Sequence, residues 1–121
     1  MSAEPPITVL MTVYNGERHL PAAVESILRQ TFRDFEFLVV DDASTDRSLD
    51  VLKSYALRDS RLRILENSSN KGQTACLNQG LREARGKWIA RQDADDLSLP
   101  TRLESHWNAI RANPGLVLTG V

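Results

Sequence analysis

The feature that most constrains this chain is a regular alternation of two hydrophobic periods. Short β-branched runs recur, each followed by a stretch whose apolar residues fall three and four apart. ITVLMTV (7–13) reads as a strand that ends at the turn residues Asn15 and Gly16. Leu20, Ala23, Val24, Ile27 and Leu28 then take helical spacing. FEFLVV (35–40) is a second strand, stopping at Asp41 and Asp42; Ser44 or Thr45 can cap a helix with Leu49, Leu52 and Ala56 inward. RLRILE (61–66) alternates polar and apolar residues, as a strand nearer a sheet edge does. NSSNKG (67–72) is a loop. Ala75, Leu77, Leu81 and Ala84 predict a helix over 73–85, ended by Gly86 as its C-terminal cap. KWIARQ (87–92) is a fourth strand. Pro100 then opens a helix carrying Leu103, Trp107 and Ile110, closed at Asn113-Pro114-Gly115. LVLTGV (116–121) would be a fifth strand, which predicts that the sequence is the N-terminal part of a longer domain.

Such alternation dictates right-handed βαβ units: an α/β, Rossmann-like, mainly parallel sheet with alternating helices. With 121 residues the chain can bury the core of one domain, expected over 1–121. A net charge of -1 supplies no basic field for nucleic acid or a membrane surface. One cysteine, Cys76, forbids an intrachain disulfide or a four-thiolate zinc site and favours a reducing, cytoplasmic setting. The N-terminus lacks the pattern of a signal peptide, and no apolar stretch approaches the ~20 residues that span a bilayer.

In parallel sheets, ligands bind beyond the carboxyl ends of the strands, near a switch in strand order. Three of those ends are unusually polar here: Thr12-Val13-Tyr14-Asn15, Asp41-Asp42, and Asp93-Ala94-Asp95-Asp96. The fold would bring them to one rim. Three carboxylates in four positions repel one another, by about 1 kcal/mol per close pair even in water, so something should offset them. Two or three aspartates suit magnesium or manganese shared with a diphosphate; they also suit the positive end of a helix. At Asp41-Asp42 one carboxylate could accept from a ribose or base while the other caps the next helix. Thr12, Tyr14 and Asn15 could meet a nucleoside through hydroxyl, ring and amide, or form an ordinary turn. Glu17 could reach the same pocket or sit solvated at a helix start. Gly72 allows a close backbone approach or positive φ beside Lys71. His19 and His106 have no partner at metal spacing and read as structural or solvated. Cys76 reads as a small buried residue, and Trp88 and Trp107 as core.

Taken together, these residues resemble a family. ITVLMTVYNGERHLPAAVESILRQTFRDFEFLVVDDASTD and NKGQTACLNQGLREARGKWIARQDADDLSLPTRLE are similar to the two opening blocks of inverting family 2 glycosyltransferases of the GT-A fold. The resemblance covers nearly the whole chain and corresponds to the N-terminal, nucleotide-sugar-binding half. It implies a nucleotide-diphosphate sugar donor, usually UDP-linked, an acceptor such as a sugar or lipid-linked glycan, and a divalent cation (Mn or Mg) at the D-x-D region. By matching position, Thr12 and Tyr14 would lie along the nucleoside, Asp42 with Asp41 would bind the base, and Glu17 would contribute. Gly72 would border the base, Asp95 would bridge ribose or metal, and Asp96 or Asp95 would ligate the metal, since DADD fits the motif in either register. The family's catalytic base lies downstream of residue 121, as do any membrane segments of the full-length protein.

Other classes fit less well. A phospho-receiver domain places its acidic pair after the first strand, not the second. A nucleotidyltransferase carries a Gly-rich basic loop where TVYNGERHL has only Gly16 and Arg18. There is no GxxxxGK[ST] and no GxGxxG. A non-catalytic nucleotide-binding module remains the second alternative. An incomplete sheet also predicts self-association through its exposed edge.

Overall fold

A computed structural model describes residues 4–113. Four strands and four helices alternate: β1 (Ile7–Val13), α1 (Leu20–Leu28), β2 (Phe35–Asp41), α2 (Ser48–Arg58), β3 (Leu62–Glu66), α3 (Gln73–Glu83), β4 (Trp88–Asp93) and α4 (Arg102–Ala112). All pairings are parallel, in the order β3-β2-β1-β4. The expected Rossmann-like α/β sheet is therefore present, and the expected fifth strand at 116–121 lies outside the described residues.

Strand composition follows strand position. β1 and β2 are central and almost wholly buried, so their runs are mainly apolar, and the polar pair Thr8 and Glu36 is buried with a 2.8 Å hydrogen bond between them. β3 lies at an edge and, apart from Leu62, is half-buried or exposed. Successive side chains leave opposite faces of the sheet. Ile7, Val9, Met11, Phe35, Phe37 and Val39 pack one face, against Val24 and Ile27 of α1, Leu52 of α2 and Leu103 of α4. Leu10, Leu38 and Val40 pack the other, against Cys76 of α3. Each such leucine contributes about 1.5–3 kcal/mol through its burial. Trp88 and Trp107 are half-buried against the first cluster, with Trp107 5.6 Å from the Phe32 ring.

Three local expectations are corrected. The second helix begins at Ser48, and Ser44 and Thr45 do not cap it; Asp46 Oδ1 accepts the Ser48 N–H at 2.9 Å instead. Gly86 does not cap α3, which ends at Glu83. Gly86 is small because an added Cβ would lie 2.4 Å from Thr8 N, where the chain crosses β1. Ala75 and Leu81 are exposed; the inward positions of α3 are Cys76 and Gly80. A Cβ on Gly80 would sit 2.3 Å from Leu10 Cδ1, so α3 approaches the sheet closely enough that its contact residues must be small.

Candidate functional site

The strand order reverses between β1 and β4, and their carboxyl ends are level: Thr12 pairs with Asp93, while Val13 pairs with Asp41 on the other side. Parallel sheets open a ligand crevice at such a reversal. Here it is a cavity of about 510 Å³, within the range of small-molecule sites, lined among others by Thr12, Tyr14, Asp42, Gln73, Asp93 and Asp95. All three polar strand ends meet in it.

The β1 wall is held by the following loop. Asn15 adopts φ 51, and its Oδ1 accepts N–H bonds from Thr45 at 2.7 Å and Asp46 at 3.2 Å. Ser44 Oγ accepts the Asn15 N–H and Ser48 Oγ the Gly16 N–H. The Asn15 amide oxygen therefore serves the loop rather than a ligand. That interlock presents Tyr14, 53% exposed, at the crevice.

Asp42 forms the floor on the β2 side. It is 4% exposed, yet it lines the crevice. Oδ1 accepts Lys71 N–H at 2.8 Å and Asn67 Nδ2 at 3.1 Å, and Oδ2 accepts Gly72 N–H at 2.9 Å. Burial pushes the carboxyl up, but these donors together with the Cys76 thiol outweigh it and hold the group below the usual carboxylate range. Gly72 has φ 90 and ψ 159, a region essentially restricted to glycine; only that backbone aims its N–H at Asp42. Beneath them Cys76 is buried, and desolvation followed by the Asp42 carboxylate pushes its thiol up to about 11, so it is no nucleophile at neutral pH.

Across the crevice, Asp93 ends β4 and Asp96 N–H closes a turn onto the Asp93 carbonyl at 3.1 Å. Asp93, Asp95 and Asp96 are exposed, and each offers a carboxylate oxygen within 4.8 Å of the others. None caps a helix: α4 starts at Arg102, behind Thr101. Among the described residues no hydrogen-bond donor occupies these carboxylates, apart from an exposed Arg91–Asp93 ion pair at 3.6 Å. The helix-dipole account of the charge cluster therefore fails, and the donor set suits a hard divalent cation.

The remaining expected residues lie elsewhere. Asp41 is buried behind the crevice and its Oδ2 accepts Ser44 N–H at 3.2 Å, shaping the turn. Glu17 lies outside the crevice, in a shallow depression with Arg47, Asp50 and Arg58. Conversely, His19 lines the crevice, which its lack of a metal-spaced partner concealed; its place just after the β1 end was the usable signal.

Residues 8–121 match the family model described as glycosyl transferase family 2. EpsE of Bacillus subtilis (strain 168) is 47% identical over 105 residues, covering 86% of this chain and 38% of EpsE. TarS 1-349 of S. aureus, in complex with UDP-GlcNAc, is similar with a TM-score of 0.84 and 28% identity, over 89% of this chain and 32% of that one. The mannosyltransferase PcManGT from Pyrobaculum calidifontis, in complex with GDP-Man and Mn2+, is similar with a TM-score of 0.77 and 29% identity, over 91% and 32%. The chain thus spans between 32% and 38% of the length of these proteins.

Proposed function

Because the chain belongs to glycosyl transferase family 2, we propose that it supplies the donor-binding part of an inverting glycosyltransferase using a nucleoside-diphosphate sugar, with UDP as the nucleotide. The observation that supports this most is the meeting of three polar strand ends in one crevice of nucleotide size. In this reading the Tyr14 ring stacks on the nucleoside, and base stacking on an aromatic side chain is worth about 1–3 kcal/mol. Thr12 lies alongside, and Asp42 meets the base from the crevice floor. Gly72 keeps that rim low, since nothing lies within 4 Å of where its Cβ would be. Asp41 acts through the turn it shapes, and Glu17 contributes only from the outer rim.

The diphosphate then lies toward the acidic turn, where bare carboxylates would repel it. Asp95 and Asp96, with Asp93 beside them, would hold a magnesium or manganese ion, which supplies charge neutralisation for the departing diphosphate. The chain's own residues bind and orient the donor. The acceptor hydroxyl attacks the anomeric carbon from the face opposite the diphosphate, and its proton passes to a carboxylate outside this sequence.

Calorimetric titration of the intact protein with UDP, GDP, ADP and CDP, with and without Mn2+, tests this reading. UDP binding that Mn2+ strengthens is expected, with the strengthening abolished by Asp96→Ala or Asp95→Ala and the binding itself weakened about tenfold by Tyr14→Ala. A preference for GDP would keep the site and change the donor. Failure of the folded protein to bind any nucleotide would overturn the proposal.

A further inference from the structure

The acidic turn is not a free loop. Gln92, 5% exposed, sits directly beneath it. Its Nε2 donates to the carbonyl oxygens of Asp96 at 2.6 Å and of Asp93 at 3.3 Å, the two ends of the turn. Its Oε1 accepts Ser98 Oγ at 2.6 Å and Arg102 Nη1 at 2.8 Å. An amide has two N–H donors and two acceptor lone pairs, so every hydrogen-bonding position of Gln92 is used. Arg102 extends the clamp: Nη1 also reaches Ser98 Oγ at 3.1 Å, and Nη2 donates to the Arg91 carbonyl at 2.7 Å. The turn is thereby tied to its own strand and to the first turn of α4.

We propose that Gln92 and Arg102 are positioning residues that preorganise the Asp93–Asp96 turn for its divalent cation. The inference rests on the metal reading above. Holding three like charges within 4.8 Å is unfavourable without the cation, so an untethered turn would spread them. Gln92 fixes the spacing from the backbone side, where it competes with no ligand oxygen. A carboxylate there would face two carbonyl oxygens and add a fourth acidic group to the three aspartates, which explains an amide at this position. Arg102 adds a fixed positive charge near Asp96 while leaving its carboxylate free of a direct bond.

Removal of groups behind metal ligands typically weakens metal binding 10–100-fold. The test is Mn2+ binding to the intact protein, read by the electron paramagnetic resonance signal of free Mn2+, in the presence of UDP. Gln92→Met, which keeps length and removes all four bonds, should weaken Mn2+ binding at least tenfold. Arg102→Lys, which keeps charge and loses the fork, should weaken it less. Metal-free UDP binding, made on the Tyr14–Asp42 side, should be unchanged in both, and circular dichroism reports their fold. Folded variants with wild-type Mn2+ affinity would overturn the inference alone. Equal losses in Mn2+ and metal-free UDP binding would also overturn it, as general destabilisation. A wild-type protein that binds no Mn2+ would overturn the metal reading with it. Should Gln92→Met fail to fold, Arg102→Lys decides the question.

Discussion

Gly72→Ala separates backbone strain from packing beside Asp42. The glycine has φ 90 and ψ 159, and nothing lies within 4 Å of an added Cβ. No steric contact therefore contributes, and the effect lives on the backbone. Holding a non-glycine residue in that region costs about 1–3 kcal/mol. Alanine also restricts the unfolded chain, which returns about 0.4–1 kcal/mol at a compatible site. If the backbone relaxes instead, the Gly72 N–H leaves Asp42 Oδ2, at 2.9 Å, and a bond to a charged group worth about 1.5–3 kcal/mol is lost. Both routes give a net loss of about 1–2 kcal/mol. Urea denaturation of the intact protein measures it, with UDP titration alongside. Relaxation would also weaken UDP binding, whereas pure strain would leave affinity intact. A D-alanine at residue 72, introduced by semisynthesis, accepts positive φ and should restore stability. A Gly72→Ala variant as stable as wild type would refute the reasoning.

Gly80→Ala should destabilise by overpacking, by about 1–3 kcal/mol, because its Cβ would meet Leu10 Cδ1 at 2.3 Å; a Leu10→Val partner substitution should recover part of the loss in the same urea assay. Asp42 makes stability pH-dependent: its folded pKa lies below its unfolded value, so its contribution is complete above about pH 4 and is lost as pH falls through the folded value. Urea midpoints between pH 3 and 7 should fall at the acid end, and Asp42→Asn should be weaker at pH 7 with a shallower acid limb; parallel limbs in the two proteins would count against the assignment.

Much of this was legible because the governing signals are local. Alternating periods located all four helices and the four described strands, and the rule that ligands sit beyond strand ends brought Thr12, Tyr14, Asp42 and Asp95 into one crevice. What escaped depended on contacts between distant segments. Gly80 and Gly86 carry no hydrophobic signal, yet close packing on Leu10 and Thr8 requires them. Asn15 looked like a ligand contact because its role, accepting from Thr45 and Asp46, involves a loop some 30 residues on. Asp41 and Asp42 are adjacent and chemically alike; only the strand's alternation sends one behind the sheet end and the other into the crevice. Gln92 lay hidden in a strand as one polar residue among several, although it holds the acidic turn.

The pairing of β1 with β4 joins Ile7 to Trp88, with β2, β3 and three helices between them in the chain. Contacts of such wide sequence separation form only after a large loop has closed, which slows folding. During synthesis the ribosome releases Tyr14 and Asp42 long before the aspartates at 93 to 96. A nascent chain therefore carries half a crevice, with Tyr14 and Asp42 in place and the acidic turn still missing. On the proposed function, donor binding would become available only when β4 docks, and a nucleotide gripping both walls would then act as a clasp on that strand.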